Sequence, residues 1–221
     1  MREGQQTHVK SGEQAPDFAV PAVQHDRTIC LADYRGRTPL LLGLFPGLYC
    51  PFCRRALAQM ASTSEHLKSL GVDSLAIVGT KLENARLYFR FRPTHMALGA
   101  DPNLTTHRSY GVPRPTDTPA FRQLMGDTYV NPTGDLQAPQ PASAVAEALA
   151  ALDGYQLTPT DQREHQSMFT QMKGQFLIDR DGIVRWANIE CGGKEGLSGL
   201  GKFPSQDDLV RAASIVIGVT R

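Results

Sequence analysis

Leu40-Leu41-Leu42-Gly43-Leu44-Phe45 is an unbroken apolar run, and five residues later comes Cys50-Pro51-Phe52-Cys53. Six consecutive apolar residues leave no polar face, so the segment reads as a strand in the middle of a sheet, covered on both sides. From Cys53 onward Leu57, Met60, Ala61, Ser64 and Leu67 recur at helical spacing, and Gly71 is placed to close the helix. Two thiols therefore stand where a buried strand hands over to a helix. Pro51 suits the first helical position. A thiol at that point meets free backbone N–H groups and the positive end of the helix dipole. With Arg54 and Arg55 directly following, this setting lowers a thiol pKa from ~8.5 into roughly 3.5–7.5. Two such thiols can close a disulfide and reopen it.

The rest of the chain supports an α/β architecture. Phe18 to Val23 and Thr28 to Leu31 read as short strands, Val72 to Val78 as a second central strand, and Leu82 to Arg92 as a helix ended by Pro93. His95 to Gly99 reads as a short strand and Asn103 to Tyr110 as a short helix. Pro113 to Pro141 is rich in Pro, Asp, Thr and Gly and is expected to be irregular. Ala142 to Leu152 and Thr160 to Gln171 read as helices. Phe176-Leu177-Ile178 and Ile183-Val184-Arg185-Trp186 flank a turn at Arg180-Asp181-Gly182, a hairpin signal. Ser205 with Asp208 resembles a capping box opening a last helix, Gln206 to Ile217. The expected fold is a single domain over 1–221, a central sheet flanked by helices, with residues 113–172 inserted before the closing hairpin and 1–16 a loose arm.

Charge and length narrow the function. The net charge of the 221 residues is +1, so no global field recruits nucleic acid or anionic lipid. No stretch of 18 apolar residues exists to span a membrane, and the polar start does not read as a secretory signal. Four cysteines in a chain of this length are too few for a disulfide scaffold, so a cytoplasmic protein with a working thiol pair is expected. A structural zinc site would need four ligands, and the six histidines are scattered with no two at ligand spacing. No cofactor is expected. Leu87-Tyr88-Phe89-Arg90-Phe91-Arg92 mixes aromatics with arginines but reads as a helix with one core face rather than an RNA platform. Gly196 to Lys202 nearly fits a phosphate loop and fails at Phe203, where Ser or Thr must bind magnesium. Glu190 and Lys194 flank that loop and read as solvated charges, with contact to substrate the alternative.

Gly12-Glu13-Gln14-Ala15-Pro16-Asp17-Phe18, Leu31-Ala32-Asp33-Tyr34-Arg35-Gly36, the stretch Leu44 to Cys53, and Phe176 to Arg185 together resemble the peroxiredoxins. These form the alkyl hydroperoxide reductase C / thiol-specific antioxidant family of the thioredoxin-fold superfamily. The resemblance covers 12–112 and 173–217. It implies a thioredoxin-like fold with a mixed central sheet, and a Pro-x-x-x-Thr-x-x-Cys loop in which Pro46 matches the proline and Cys53 the peroxide-attacking cysteine. Cys50 falls on the threonine, and Lys173 occupies the place of an arginine that precedes the closing hairpin. Lys lacks the planar fork of Arg, so that exchange is not conservative. Relatives with Cys-x-x-Cys exchange thiols and disulfides and carry a proline where this chain has Gly174.

Two redox schemes follow. In the first, Cys53 attacks a peroxide and becomes a sulfenic acid, Cys50 condenses with it, and a thiol reductant of the thioredoxin or glutathione type resets the pair, with Lys173 and Arg54 stabilising charge. In the second, Cys50 attacks a disulfide substrate and Cys53 resolves the mixed disulfide. A non-enzymatic redox sensor or soft-metal binder is the alternative from another class. Pro46, Tyr49, Phe52 and Arg54 are the expected substrate contacts. Cys191, at the far end of the hairpin, is expected at the same sheet end as Cys53, either as a buried small apolar residue beside the loop or as a third thiol or substrate contact. Cys30 reads as core filling, and Trp186 as core or pocket wall. The insertion is expected either to form a lid or to join two copies in a homodimer.

Overall fold

The computed structural model describes residues 8–134 and 136–218. Its centre is a sheet of five strands: β3 (Leu40–Phe45), β4 (Asp73–Val78), β5 (Ala97–Ala100), β8 (Gly174–Ile178) and β9 (Val184–Ile189), in the order β5-β4-β3-β8-β9. β3, β4 and β5 run parallel, while β8 pairs antiparallel with both β3 and β9. Every residue of β3 is buried, as its composition demands. Leu40, Leu42 and Leu44 enter one apolar core, and Leu41 and Phe45 enter the other, the alternation of a strand with both faces covered.

Helix α1 (Pro51–Ser69) covers one face with α7 (Gln206–Gly218) beside it, and α2 (Leu82–Phe91) adds Ala85 and Tyr88 to the same apolar core. Cys53, Ala56, Leu57, Met60 and Leu67 of α1 are buried there. The helix ends with Gly71 in the left-handed region at φ 81°, the conformation that closes helices at least cost when the residue is glycine. The opening cap of α7 forms as expected, Asp208 N–H donating to the Ser205 hydroxyl at 3.1 Å and the Ser205 N–H to the Asp208 carboxylate at 3.1 Å.

The other face is covered by the small hairpin of β1 (Ala19–Pro21) and β2 (Thr28–Cys30), by Tyr110 and Val112 after α3 (Thr105–Ser109), and by part of the insertion. Within the insertion, α4 (Pro119–Asp127) and a two-residue ladder of β6 (Tyr129–Val130) with β7 (Gln140–Pro141) occupy the stretch expected to be irregular. Thr118 caps α4, its hydroxyl accepting from Phe121 N–H at 3.1 Å, and Pro119 takes the first turn. α5 (Ala142–Asp153) and α6 (Pro159–Met168) follow. Met125, Val130, Ala142 and Val145 join the main core. The two ends of the insertion meet where Met172 N–H donates to the Pro113 carbonyl at 3.0 Å.

Three expectations change. The arm is held from Val9 on: Val9 N–H donates to Tyr110 O, and Gly12 N–H to Val184 O; residues 1–7 lie outside the described residues. Cys30 ends β2 half-exposed rather than in the core. The second hairpin strand runs on to Ile189, three residues beyond Trp186.

Candidate active site

The strand–helix junction sets the site. β3 ends at Phe45, and the chain turns through Pro46 and Gly47 because Gly79, after β4, lets it approach: a Cβ on Gly79 would lie 2.2 Å from the Pro46 carbonyl oxygen. Leu48 N–H then donates to the Thr80 hydroxyl at 3.0 Å. Cys50 is the N-cap of α1, Pro51 begins the first turn, and the Cys50 Sγ accepts from the Cys53 backbone N–H at 3.3 Å. The sulfur thus stands where Ser or Asp commonly caps a helix.

All four cysteines are free thiols. Cys50 is partly exposed as a residue, whereas Cys53 is 1 % exposed. Their pKa values move apart. That of Cys50 is lowered, chiefly because the Cys53 thiol donates to its sulfur; burial opposes this, and the Lys173 ammonium adds to it. Cys53 is pushed well up by burial, by its hydrogen bond to Cys50 and by the neighbouring thiolate charge. The two thiols are thus made unequal in acidity, a division that suits a nucleophile and a resolving thiol.

Lys173, just before β8, is 1 % exposed and pairs with the carboxylate of Glu190, just after β9. Burial disfavours its charge, yet Glu190 and the two thiols together hold its pKa above the ordinary lysine value. Glu190, read from sequence as a solvated charge, is in fact 7 % exposed. The signal for it lay in the hairpin register: Gly174 opposes Ile189, so the next position out places Lys173 against Glu190.

The residues expected to touch substrate mostly support the loop. Pro46 is buried against Gly79. Tyr49 is buried, its hydroxyl donating to Met168 O at 2.9 Å and its ring 5.3 Å from that of His165. Phe52 is buried with its ring against Gly201. Arg54 does not face the thiols; its guanidinium donates to Leu48 O at 2.8 Å, Tyr49 O at 3.2 Å and Asp153 Oδ2 at 2.6 Å, and lies 4.8 Å over the Tyr155 ring. α5 and α6 are thereby fastened to both flanks of the cysteine pair. Arg55 is exposed on the outer side of α1.

Cys191 lies beyond Glu190 on the wall of an open groove of about 560 Å³, with Trp186, Phe203 and Arg211; neither Cys50 nor Cys53 lines it. Burial and the Glu190 carboxylate push the Cys191 thiol up to about 12. Among the described residues no group of three His, Cys, Asp or Glu side chains is arranged to hold a metal ion, and no helix is long and apolar enough to cross a membrane.

The model of the AhpC/TSA family matches residues 11–187. No curated protein matches by sequence. Among solved structures, a thiol:disulfide interchange protein DsbE from Chlorobium tepidum is 18% identical, with 93% of this chain and 99% of that one covered at a TM-score of 0.51. The peroxidoxin BcpB from Mycobacterium tuberculosis is 14% identical, covering 97% and 99% at a TM-score of 0.58. A 2-Cys peroxiredoxin from Plasmodium vivax is 15% identical, covering 94% and 81% at 0.58. At such identities these structures speak for the thioredoxin-like fold alone. The match along four-fifths of the sequence, with a thiol pair at the mouth of α1, makes this chain a member of the AhpC/TSA family and a thiol-dependent oxidoreductase.

Proposed function

We propose that the chain is a dithiol–disulfide oxidoreductase in which Cys50 attacks and Cys53 resolves. The observation that supports this order is the contrast between the two sulfurs: Cys50 caps α1, is partly open and has its pKa lowered, whereas Cys53 is buried with its pKa raised. The Cys50 thiolate attacks one sulfur of a substrate disulfide. A Cys50–substrate disulfide forms and the other substrate sulfur leaves as a thiolate, which takes a proton. Cys53 then attacks Cys50 Sγ, and its proton goes to the departing substrate sulfur. Two electrons pass from the pair to the substrate, and a thiol reductant of the thioredoxin or glutathione type returns them. A cytoplasmic setting, which keeps thiols reduced, would sustain this cycle.

Peroxide reduction is the second reading, supported by the family match and by the place of Cys53 seven residues after Pro46. Attack on a peroxide oxygen would leave a sulfenic acid and release an alcohol or water. Condensation with the other thiol would then form the disulfide and release water. With Lys173 engaged by Glu190 and no threonine at position 50, the loop lacks the groups that orient peroxide in the resembled family.

The test is trapping. With a model protein disulfide, Cys53→Ser should accumulate a mixed disulfide through Cys50, and Cys50→Ser should form none. A mixed disulfide through Cys53 in the Cys50→Ser variant, at the wild-type rate, would overturn the order. Peroxide consumption fast enough to outcompete disulfide exchange would promote the second reading.

A further inference from the structure

Glu190 has no part in the scheme above, yet its buried carboxylate accepts three hydrogen bonds at this end of the sheet. It accepts from the Lys173 backbone N–H at 3.0 Å, from the Lys173 ammonium, and from Gly201 N–H at 2.8 Å. Its own N–H donates to Lys173 O at 3.0 Å. Gly201, at φ 81°, lies directly behind Phe52, one of the two residues between the cysteines: a Cβ there would stand 2.7 Å from the Phe52 ring. One side chain therefore joins three things, namely the Lys173 ammonium that acts on both thiols, the glycine-rich loop 192–203, and through that loop the wall of Cys50-Pro51-Phe52-Cys53.

We propose that Glu190 is a positioning residue that restrains the Cys50 thiolate, by holding the Lys173 ammonium on a competing carboxylate and by pinning Gly201 against Phe52. A buried ammonium with two anionic neighbours is shared between them, and whatever strengthens one pairing weakens the other. The charged and titratable groups that act on Cys50 are Cys53, Lys173 and Glu190. Tyr49 also faces the pair, and Glu164 and Arg114 act on Tyr49. Cys191 is subject to Glu190 and Lys173 alike. Glu190 opposes Lys173 at both catalytic sulfurs. Neutralising Glu190 leaves Cys50 as the remaining anion for Lys173. The Cys50 pKa falls, the dithiol form is stabilised, and the disulfide becomes a stronger oxidant.

This rests on reading Cys50 and Cys53 as the working pair, but its test needs no substrate. The Cys50 pKa is read from the pH dependence of alkylation, and the dithiol–disulfide equilibrium from a glutathione redox buffer. Glu190→Gln should lower the Cys50 pKa and move the equilibrium toward the dithiol by about threefold to tenfold, the change that half a unit to one unit of thiol pKa brings. Glu190→Asp, which keeps the charge, should lie nearer wild type, and Lys173→Met should move both quantities the opposite way. A purely structural Glu190 would lower stability in Glu190→Gln while leaving the Cys50 pKa in place, and that result overturns the proposal. So does a shift in the same sense as Lys173→Met. Should Glu190→Gln not fold, carboxyl-carbon NMR of the unaltered protein decides: the Glu190 signal should differ between the dithiol and disulfide forms and follow the Cys50 titration. An unchanged signal sinks the proposal. If these shifts appear and no disulfide or peroxide is turned over, the functional reading fails and the role of Glu190 stands.

Discussion

At the scale of single residues, three positions separate two thiols with opposite properties. The spacing Cys50-x-x-Cys53 and Pro51 at the first helical position were legible in the sequence because cap geometry is local. Which thiol ionises was not, because it depends on which sulfur the fold leaves open. The resemblance put Cys53 on the attacking position, whereas burial favours Cys50. Lys173 is legible through the resemblance, whereas its partner Glu190 reads as a surface charge because an acidic residue after a hairpin strand normally is one. Arg54 was assigned to the thiols on adjacency alone; along a helix the next residue points about 100° away, and here it turns to Leu48, Tyr49 and Asp153. Since the Cys53 thiol makes the largest contribution to lowering Cys50, Cys53→Ala should raise the Cys50 pKa. A pH titration of thiolate absorbance in that variant reads the shift, and a pKa equal to or below that of the intact pair would contradict the assignment.

At the scale of elements, the loop between β3 and α1 is shaped by what surrounds it. Gly79→Ala would drive a methyl carbon into the Pro46 carbonyl oxygen, where no flexible side chain can yield. We expect it to cost about 1–3 kcal/mol or more and to slow Cys50 alkylation, measured by denaturant unfolding and by thiol labelling; wild-type values for both would refute the close packing. Arg54 holds the same loop from the insertion side. Arg54→Lys keeps the charge and loses the planar fork, so a loss of about 1–3 kcal/mol is expected from its buried charged hydrogen bonds. Hydrogen exchange should quicken at the end of α5, where Asp153 loses its partner, and unchanged exchange there would show that the insertion is not fastened through Arg54. The strands and helices of the core were readable from periodicity. α4 was hidden by the proline and glycine content of its neighbourhood, although Thr118-Pro119 was a usable start signal.

At the scale of the whole molecule, two cores on either face of one sheet meet beneath the cysteine pair, since Cys50 packs against both. The α/β class and the closing hairpin followed from the apolar runs and the turn at Asp181-Gly182. The insertion's docking did not, because it rests on contacts distant in sequence, such as Tyr49 with Met168. His107 gives the folded state a pH limit. It is fully buried, and burial lowers its pKa to about 4, against the pull of Asp101. The unfolded chain takes up that proton near pH 6.5. The neutral ring's contribution is thus complete above that pH and lost as pH falls toward 4, up to about 3 kcal/mol. Glu164, whose pKa burial raises, acts in the opposite sense. The comparison is therefore between wild type and His107→Gln by urea unfolding across pH 4 to 7. The variant should show a flatter acid limb, and parallel curves would refute the claim.

The proposed chemistry depends most on Cys50 being the ionised, reachable sulfur. Site-resolved mass spectrometry after brief iodoacetamide treatment of the fully reduced protein, repeated across a pH series, measures this directly. Cys50 should be labelled first, with an apparent pKa below that of an ordinary thiol, while Cys53 stays unlabelled until the chain unfolds. Labelling of Cys53 ahead of Cys50, or a Cys50 profile no different from a free thiol, would contradict it.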